Sequence, residues 1–215
     1  TLFRSSSHEE LTEKNYKKLE ELAKNYIPVV NINCQNYGGN LIPVIKTDLM
    51  DAAYCATSYL IELGHKKIGF CSHSSIRFKG YQKAMEEHGL PYDEFTYLSF
   101  KSVQDIVEDI IKAGDKPTAF LSYNDQTAIR LIQLLENEGI KVPQNISICG
   151  IDNIQLAQYY NPSLTTVDIP KVEMGKKAVE MLIELIEGSN IKEDTMEIVF
   201  PTKLVKRKST IRMMK

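Results

Sequence analysis

The sequence predicts an α/β fold built on parallel sheets. Three observations predict it. Short apolar runs alternate with amphipathic stretches along the whole chain, the pattern of parallel strands joined by helical crossovers. Glycines that stop helices, Gly64, Gly89 and Gly139, close several of the amphipathic stretches. Four apolar runs end directly in polar residues: Pro43-Val44-Ile45-Lys46-Thr47-Asp48, Ile68-Gly69-Phe70-Cys71-Ser72, Ala119-Phe120-Leu121-Ser122-Tyr123-Asn124-Asp125 and Ile146-Ser147-Ile148-Cys149-Gly150-Ile151-Asp152. In open parallel sheets small ligands bind outside the carboxyl ends of the strands, so these endings mark a pocket.

The elements follow in order. A strand tail at Leu2-Phe3 precedes a helix that Ser7-His8-Glu9-Glu10 opens as a capping box, with Leu11, Leu19 and Leu22 carrying its apolar face toward Tyr26. The run Ile27-Pro28-Val29-Val30-Asn31-Ile32 reads as a strand closed by a turn at Gly38-Gly39, and a second strand leads to Asp48. Helices are expected over 49–63, 77–87, 103–113 and 125–138, and strands from Lys67 and over 96–100, 118–122 and 146–150. An irregular stretch runs to Pro162. After Thr165-Thr166-Val167 come a long amphipathic helix over 172–187 and two strands over 197–200 and 203–207. A complete doubly wound unit would start with a further strand–helix–strand, so the chain reads as a fragment or as having a small first subdomain.

Composition bounds the function. A chain of 215 residues, 43% hydrophobic and 25% charged, is an ordinary globular one, with room for one domain or two small ones. Its net charge of −2 argues against a nucleic-acid grip of its own. The run Lys206-Arg207-Lys208 reads as a solvated strand end. No apolar stretch approaches the roughly 20 residues of a membrane span, and the N-terminus lacks signal-peptide architecture. Cys34, Cys55, Cys71 and Cys149 are scattered without a C-x-x-C pair, which points to a reduced, cytoplasmic protein. The histidines lack ligand spacing, and His65 reads as packing at a helix end. There is no Walker loop, no G-x-G-x-x-G and no G-x-S-x-G elbow, so neither cofactor, metal nor enzyme activity is expected.

Several stretches carry a family resemblance in the family's own order. They are Ile27-Pro28-Val29-Val30, Leu63-Gly64-His65-Lys66-Lys67-Ile68-Gly69-Phe70, Arg77-Phe78-Lys79-Gly80-Tyr81 and Asn124-Asp125-Gln126-Thr127-Ala128. Gly139-Ile140-Lys141-Val142-Pro143, Ile148-Cys149-Gly150-Ile151-Asp152-Asn153, Pro162-Ser163-Leu164-Thr165-Thr166-Val167, Met174-Gly175 and Leu204 to Thr210 follow. Together they resemble the effector-binding domain of LacI/GalR-type transcriptional regulators over about residues 1 to 212. Where that family commonly has an aromatic residue before the aspartate of its G-[FY]-D motif, this chain has Ile151.

The resemblance implies a periplasmic-binding-protein-like type I fold of two Rossmann-like subdomains with parallel sheets and a ligand cleft between them. The boundaries expected are 1–66 plus 168–198 for an incomplete N-terminal subdomain and 67–167 plus 199–215 for the C-terminal one. It implies a small-molecule effector (a sugar, sugar phosphate, nucleoside or purine), a homodimer, and operator DNA bound only through a missing headpiece. Competing readings are a solute-binding receptor for sugar uptake or chemotaxis, which predicts an export signal, and a small-molecule enzyme, which predicts a nucleophile.

Seven residues are expected to meet the ligand. Asp152 can accept two hydrogen bonds from a diol or ring N–H groups; its alternative role is a turn with Asn153. Arg77 can present a planar fork to hydroxyls or a carboxylate, or be a solvated residue at a helix start. Asn124 and Asp48 match the family's contact positions; Asp48 is also a natural helix cap, and either Asn124 or Asp125 can cap the helix they open. Phe100 aligns with the family's stacking aromatic, but on pattern alone is a core residue. Ser72 and Tyr123 stand beside these residues as further candidates.

Overall fold

A computed structural model describes residues 2–4, 13–25, 27–32, 41–98, 102–188 and 196–213. In chain order the elements are β1 (Leu2–Arg4), α1 (Glu13–Lys24), β2 (Val30–Ile32), β3 (Val44–Thr47), α2 (Leu49–Glu62), β4 (Ile68–Cys71), α3 (Ser75–Glu87) and β5 (Thr96–Tyr97). They continue with α4 (Val103–Lys112), β6 (Ala119–Ser122), α5 (Asp125–Asn137), β7 (Ser147–Asp152), α6 (Gln155–Tyr159) and β8 (Thr165–Asp168). The last three are α7 (Lys171–Ile186), β9 (Glu197–Phe200) and β10 (Lys203–Val205). The stretch read as irregular before Pro162 contains α6, too short for helical period to register in the sequence. The capping box at Ser7 and the Gly38-Gly39 turn lie outside the described residues.

The chain divides into two compact units, 1–48 with 170–201 and 49–169 with 202–215. The smaller holds a parallel sheet in the order β1-β2-β3-β9. Leu19 of α1 is buried there with Val29 and Ile42, whereas Leu22, expected on the same face, is 36% exposed. Helix α7 packs on β2 and β3 and buries Met174, Ala178 and Met181. A boundary at 66 would leave α2 with this unit. In the structure α2 packs on α3 and on strands of the larger one, because its buried Ala52, Ala53 and Ala56 allow close helix approach.

The larger unit holds a sheet in the order β10-β8-β7-β6-β4-β5, parallel except for β10, which runs antiparallel to β8. From β4 the chain moves outward to β5, then returns to the other side of β4 for β6 and continues through β7 to β8. The crevice between the ends of β4 and β6 is therefore the topological switch point, the place where sheets of this kind bind ligands. Phe120, Ile106, Ile110, Leu131 and Ile148 fill the core under α4 and α5.

His65 ties this unit's C-terminal segment down. It is 1% exposed, with Nε2 3.0 Å from the Ile211 carbonyl and Nδ1 3.0 Å from the Thr118 hydroxyl. A carbonyl only accepts, so Nε2 carries the proton and Nδ1 accepts from Thr118. Burial pushes the imidazole pKa down, and the native ring is the neutral one. Below the ordinary histidine pKa of about 6.5 the unfolded chain binds a proton that the folded one refuses, so stability falls with pH. The urea midpoint is expected to drop between about pH 7 and pH 5.5, and His65→Ala, less stable throughout, to show a shallower drop. An identical pH slope in that variant would remove His65 as the cause.

No helix among the described residues is long and apolar enough to cross a membrane. Cys55, Cys71 and Cys149 are free thiols, and burial raises the Cys71 pKa to about 11, which makes it a packing residue rather than a nucleophile.

Candidate functional site

Strands β7, β6 and β4 lie side by side and run parallel, so their carboxyl ends meet on one edge of the sheet. Ser72 follows β4, Tyr123 and Asn124 follow β6, and Asp152 ends β7. Arg77 stands in the first turn of α3, the helix that β4 feeds. The parallel register thus collects five of the seven residues expected from the sequence. Asp48 is exposed and follows β3 in the smaller unit, directly before α2. Phe100 lies outside the described residues.

Each side chain is placed by local chemistry. Ser72 is 3% exposed; its Oγ accepts the Ser74 N–H at 2.9 Å, and its own N–H donates to the Tyr97 carbonyl at 3.0 Å. That turn aims the chain into α3, whose N-cap is Ser74. Arg77 follows, half-buried, and its Nε–H finds no acceptor among the described residues. Burial pushes its pKa down, while the negative charge of Asp152 works in the opposite direction. A guanidinium stays protonated under such a balance, so the site keeps a positive group within the influence of the Asp152 carboxylate.

Asn124 is the N-cap of α5: its Oδ1 accepts the Thr127 N–H at 2.8 Å. The sequence leaves Asn124 and Asp125 as alternative caps. The structure assigns the cap to Asn124 and buries Asp125 completely. Tyr123 is half-buried and meets the His73 ring edge-on, with centroids 5.4 Å apart. Beside it lies a cavity of about 160 Å³, lined by Ser72, His73, Tyr97, Ser102, Tyr123 and Thr127 over a floor of Cys71, Val103 and Ile106. His73, Tyr97 and Ser102 escape the sequence reading, since isolated polar residues point to no ligand, and Thr127 enters it only as part of the family-like stretch 124–128. Only Ser102, with Asp105 three positions on, shows a capping box.

Asp152 has φ +117° and Asn153 φ +50°. Left-handed backbone is tolerable for Asn, but a non-glycine residue at +117° stores strain, and such strain clusters at ligand sites. The Asp-Asn turn and the exposed edge therefore coincide here. Ile151, where the family has an aromatic, is fully buried in β7. Arg207 is no solvated strand end. Its guanidinium donates to the Leu164 carbonyl at 2.8 Å and the Asn153 Oδ1 at 2.7 Å, bracing the turn from behind. Among the described residues no group of three or more His, Cys, Asp or Glu side chains is placed to hold a metal ion.

Residues 57–210 match the family model of the periplasmic binding protein-like domain. The chain is 35% identical over 195 residues to the NTD biosynthesis operon regulator NtdR of Bacillus subtilis, covering 86% of this chain and 59% of that protein. It is 32% identical over 198 residues to the arabinose metabolism transcriptional repressor of Geobacillus stearothermophilus, covering 86% and 54%. Among solved structures it resembles a sugar-binding transcriptional regulator of the LacI family from Escherichia coli, complexed with phosphate. That likeness has a TM-score of 0.77 and 25% identity, and covers 92% of this chain and 73% of the other. The chain thus spans between half and three fifths of the length of these two curated relatives. These relatives are named as regulators of transcription, neither transport receptors nor enzymes. By its sheet order, by the family model over most of its length and by these likenesses, the chain belongs to the periplasmic binding protein-like domain family, in the form carried by LacI-type transcriptional regulators.

Proposed function

We propose that this chain is the effector-sensing part of a bacterial LacI-type regulator, and that Asp152 and Arg77 are the polar anchors of its effector. The observation that carries the reading is Arg77. Its Nε–H is buried without an acceptor among the described residues, under the influence of the Asp152 charge, at the switch-point edge of the sheet. A buried donor left without a partner costs about 1–3 kcal/mol, which a ligand oxygen would recover. A guanidinium within the electrostatic influence of a carboxylate suits a molecule with both acceptors and vicinal donors, such as a sugar or a sugar derivative. Sugar phosphates, nucleosides and purines offer the same groups.

Ser72, Tyr123 and the amide of Asn124 supply further polar surface, and Asp48 and Phe100 join the site on the strength of the family resemblance. The protein acts by binding rather than by catalysis, in the cytoplasm, as a homodimer. Operator DNA is held by a part of the longer regulators that this chain does not span. Effector binding changes DNA affinity through a coupling free energy, of about 1–3 kcal/mol in typical cases.

A thermal-shift screen against aldoses, ketoses, sugar phosphates, nucleosides and purines tests the reading. A ligand at about 100 times its Kd is expected to add roughly 2.7 kcal/mol of stability to the chain. Asp152→Ala and Arg77→Ala, each still folded by circular dichroism, are expected to lose that gain. A ligand that stabilises both variants as well as the parent chain would place the site elsewhere.

A further inference from the structure

We infer that Asp125 is a positioning residue that fixes the Asp152 turn and so sets how Asp152 faces Arg77. Asp125 is fully buried, immediately after the α5 cap Asn124. Its Oδ2 accepts the Ile154 N–H at 2.8 Å, and its Oδ1 accepts the Thr166 hydroxyl at 2.5 Å. Thr166 Oγ1 in turn accepts the Asn153 N–H at 3.3 Å. Both amides that follow Asp152 are therefore held, one directly and one through a hydroxyl, by a single carboxylate. Asn153 is clamped on its other side, donating to Asp168 Oδ1 at 2.7 Å and accepting from Arg207 at 2.7 Å.

The fold makes room for this carboxylate. A Cβ on Gly150 would lie 2.3 Å from Asp125 Oδ1, so the glycine two residues before Asp152 is what lets the acid approach β7. A buried carboxylate bears a large desolvation cost, which apolar side chains of similar volume avoid. Its use here is geometric. It holds the left-handed backbone at 152 and 153 and ties the turn to the N-terminus of α5, so Asn124 and Asp152 move as one body. The family-like stretches at 124–128 and 148–153 are thus two halves of one brace.

The inference rests on the reading of Asp152 and Arg77 as the effector anchors, but its test uses no effector, so a failed ligand screen and a failed test are separate results. Amide hydrogen exchange and the NMR resonance of the Arg77 Nε–H are measured in the parent chain, in Asp125→Asn, which keeps an acceptor for Ile154, and in Asp125→Ala, which keeps none. The Ile154 amide is expected to exchange at least about tenfold faster in Asp125→Ala, and by an intermediate factor in Asp125→Asn, while the Leu121 and Ile148 amides keep their rates. Asp152→Asn is expected to move the Arg77 resonance in the parent chain and to lose that effect in the Asp125→Ala background. Unchanged protection at Ile154, an equal acceleration at Leu121 and Ile148, or an Arg77 response that survives Asp125→Ala would overturn the assignment. Should Asp125→Ala not fold, Thr166→Val, which removes the bridging hydroxyl, replaces it with the same expectations for Asn153.

Discussion

Gly80→Ala is expected to destabilise the larger unit by about 3 kcal/mol, at the top of the range for overpacking a well-packed site. Gly80 is buried in α3 where that helix crosses α2. A Cβ there would lie 2.0 Å from the Met50 carbonyl oxygen, 2.9 Å from its carbon and 3.0 Å from the Tyr54 nitrogen. All three are backbone atoms of a packed helix, so no side chain can swing away to relieve the clash. The two helices must separate or shift in register. Arg77 lies one turn earlier on α3, so any such shift also moves the proposed effector anchor. For a chain of this size a loss of that order lowers Tm by roughly 6–12 °C. The chain has no tryptophan, so far-ultraviolet circular dichroism during heating and urea titration is the suitable measurement. A loss below about 1 kcal/mol would mean that α2 and α3 slide apart freely, contrary to the observed contact.

Tyr81→Ala is expected to cost about 4 kcal/mol, and Tyr81→Phe only about 1 kcal/mol. The ring is fully buried and stacked on Phe70, with centroids 4.6 Å apart and planes 12° from parallel. Its hydroxyl donates to the Ile68 carbonyl at 2.7 Å, and burial pushes the phenol pKa up to about 12. Truncation to alanine removes the largest fully buried side chain among the described residues and leaves a cavity between α3 and β4. The phenylalanine variant keeps the packing and removes one hydrogen bond. Urea titration of the two variants separates the two contributions, and equal losses would show that the hydrogen bond rather than the packing anchors α3.

These two predictions divide the stretch Arg77-Phe78-Lys79-Gly80-Tyr81 by role. As a sequence it is one family-like motif. In the structure its glycine and tyrosine seat the helix, and its arginine is left facing the strand ends. The same division holds in Asn124-Asp125, where one residue caps α5 and the next is the hidden brace. Sequence reasoning treats both as interchangeable caps because either side chain can reach the free N–H groups of a helix start. The contacts of Asp125 with Ile154, 29 residues on, and with Thr166, 41 residues on, separate them.

Local sequence dictates the alternation of strands and helices and the polar residues that end or follow β3, β4, β6 and β7, among them Asp48, Ser72, Tyr123, Asn124 and Asp152. Those features are local: period, composition and capping act over a few neighbouring residues, and parallel register brings strand ends together without further information. Tertiary structure decided the rest. It placed α2 against α3, made Arg207 a brace for Asn153 across 54 residues, and gave His65 its partners at Thr118 and Ile211. It also buried Asp125 beneath the Asp152 turn. Partners so distant in the chain leave no periodic trace, because a buried polar group takes whichever complementary atom the packing brings to it.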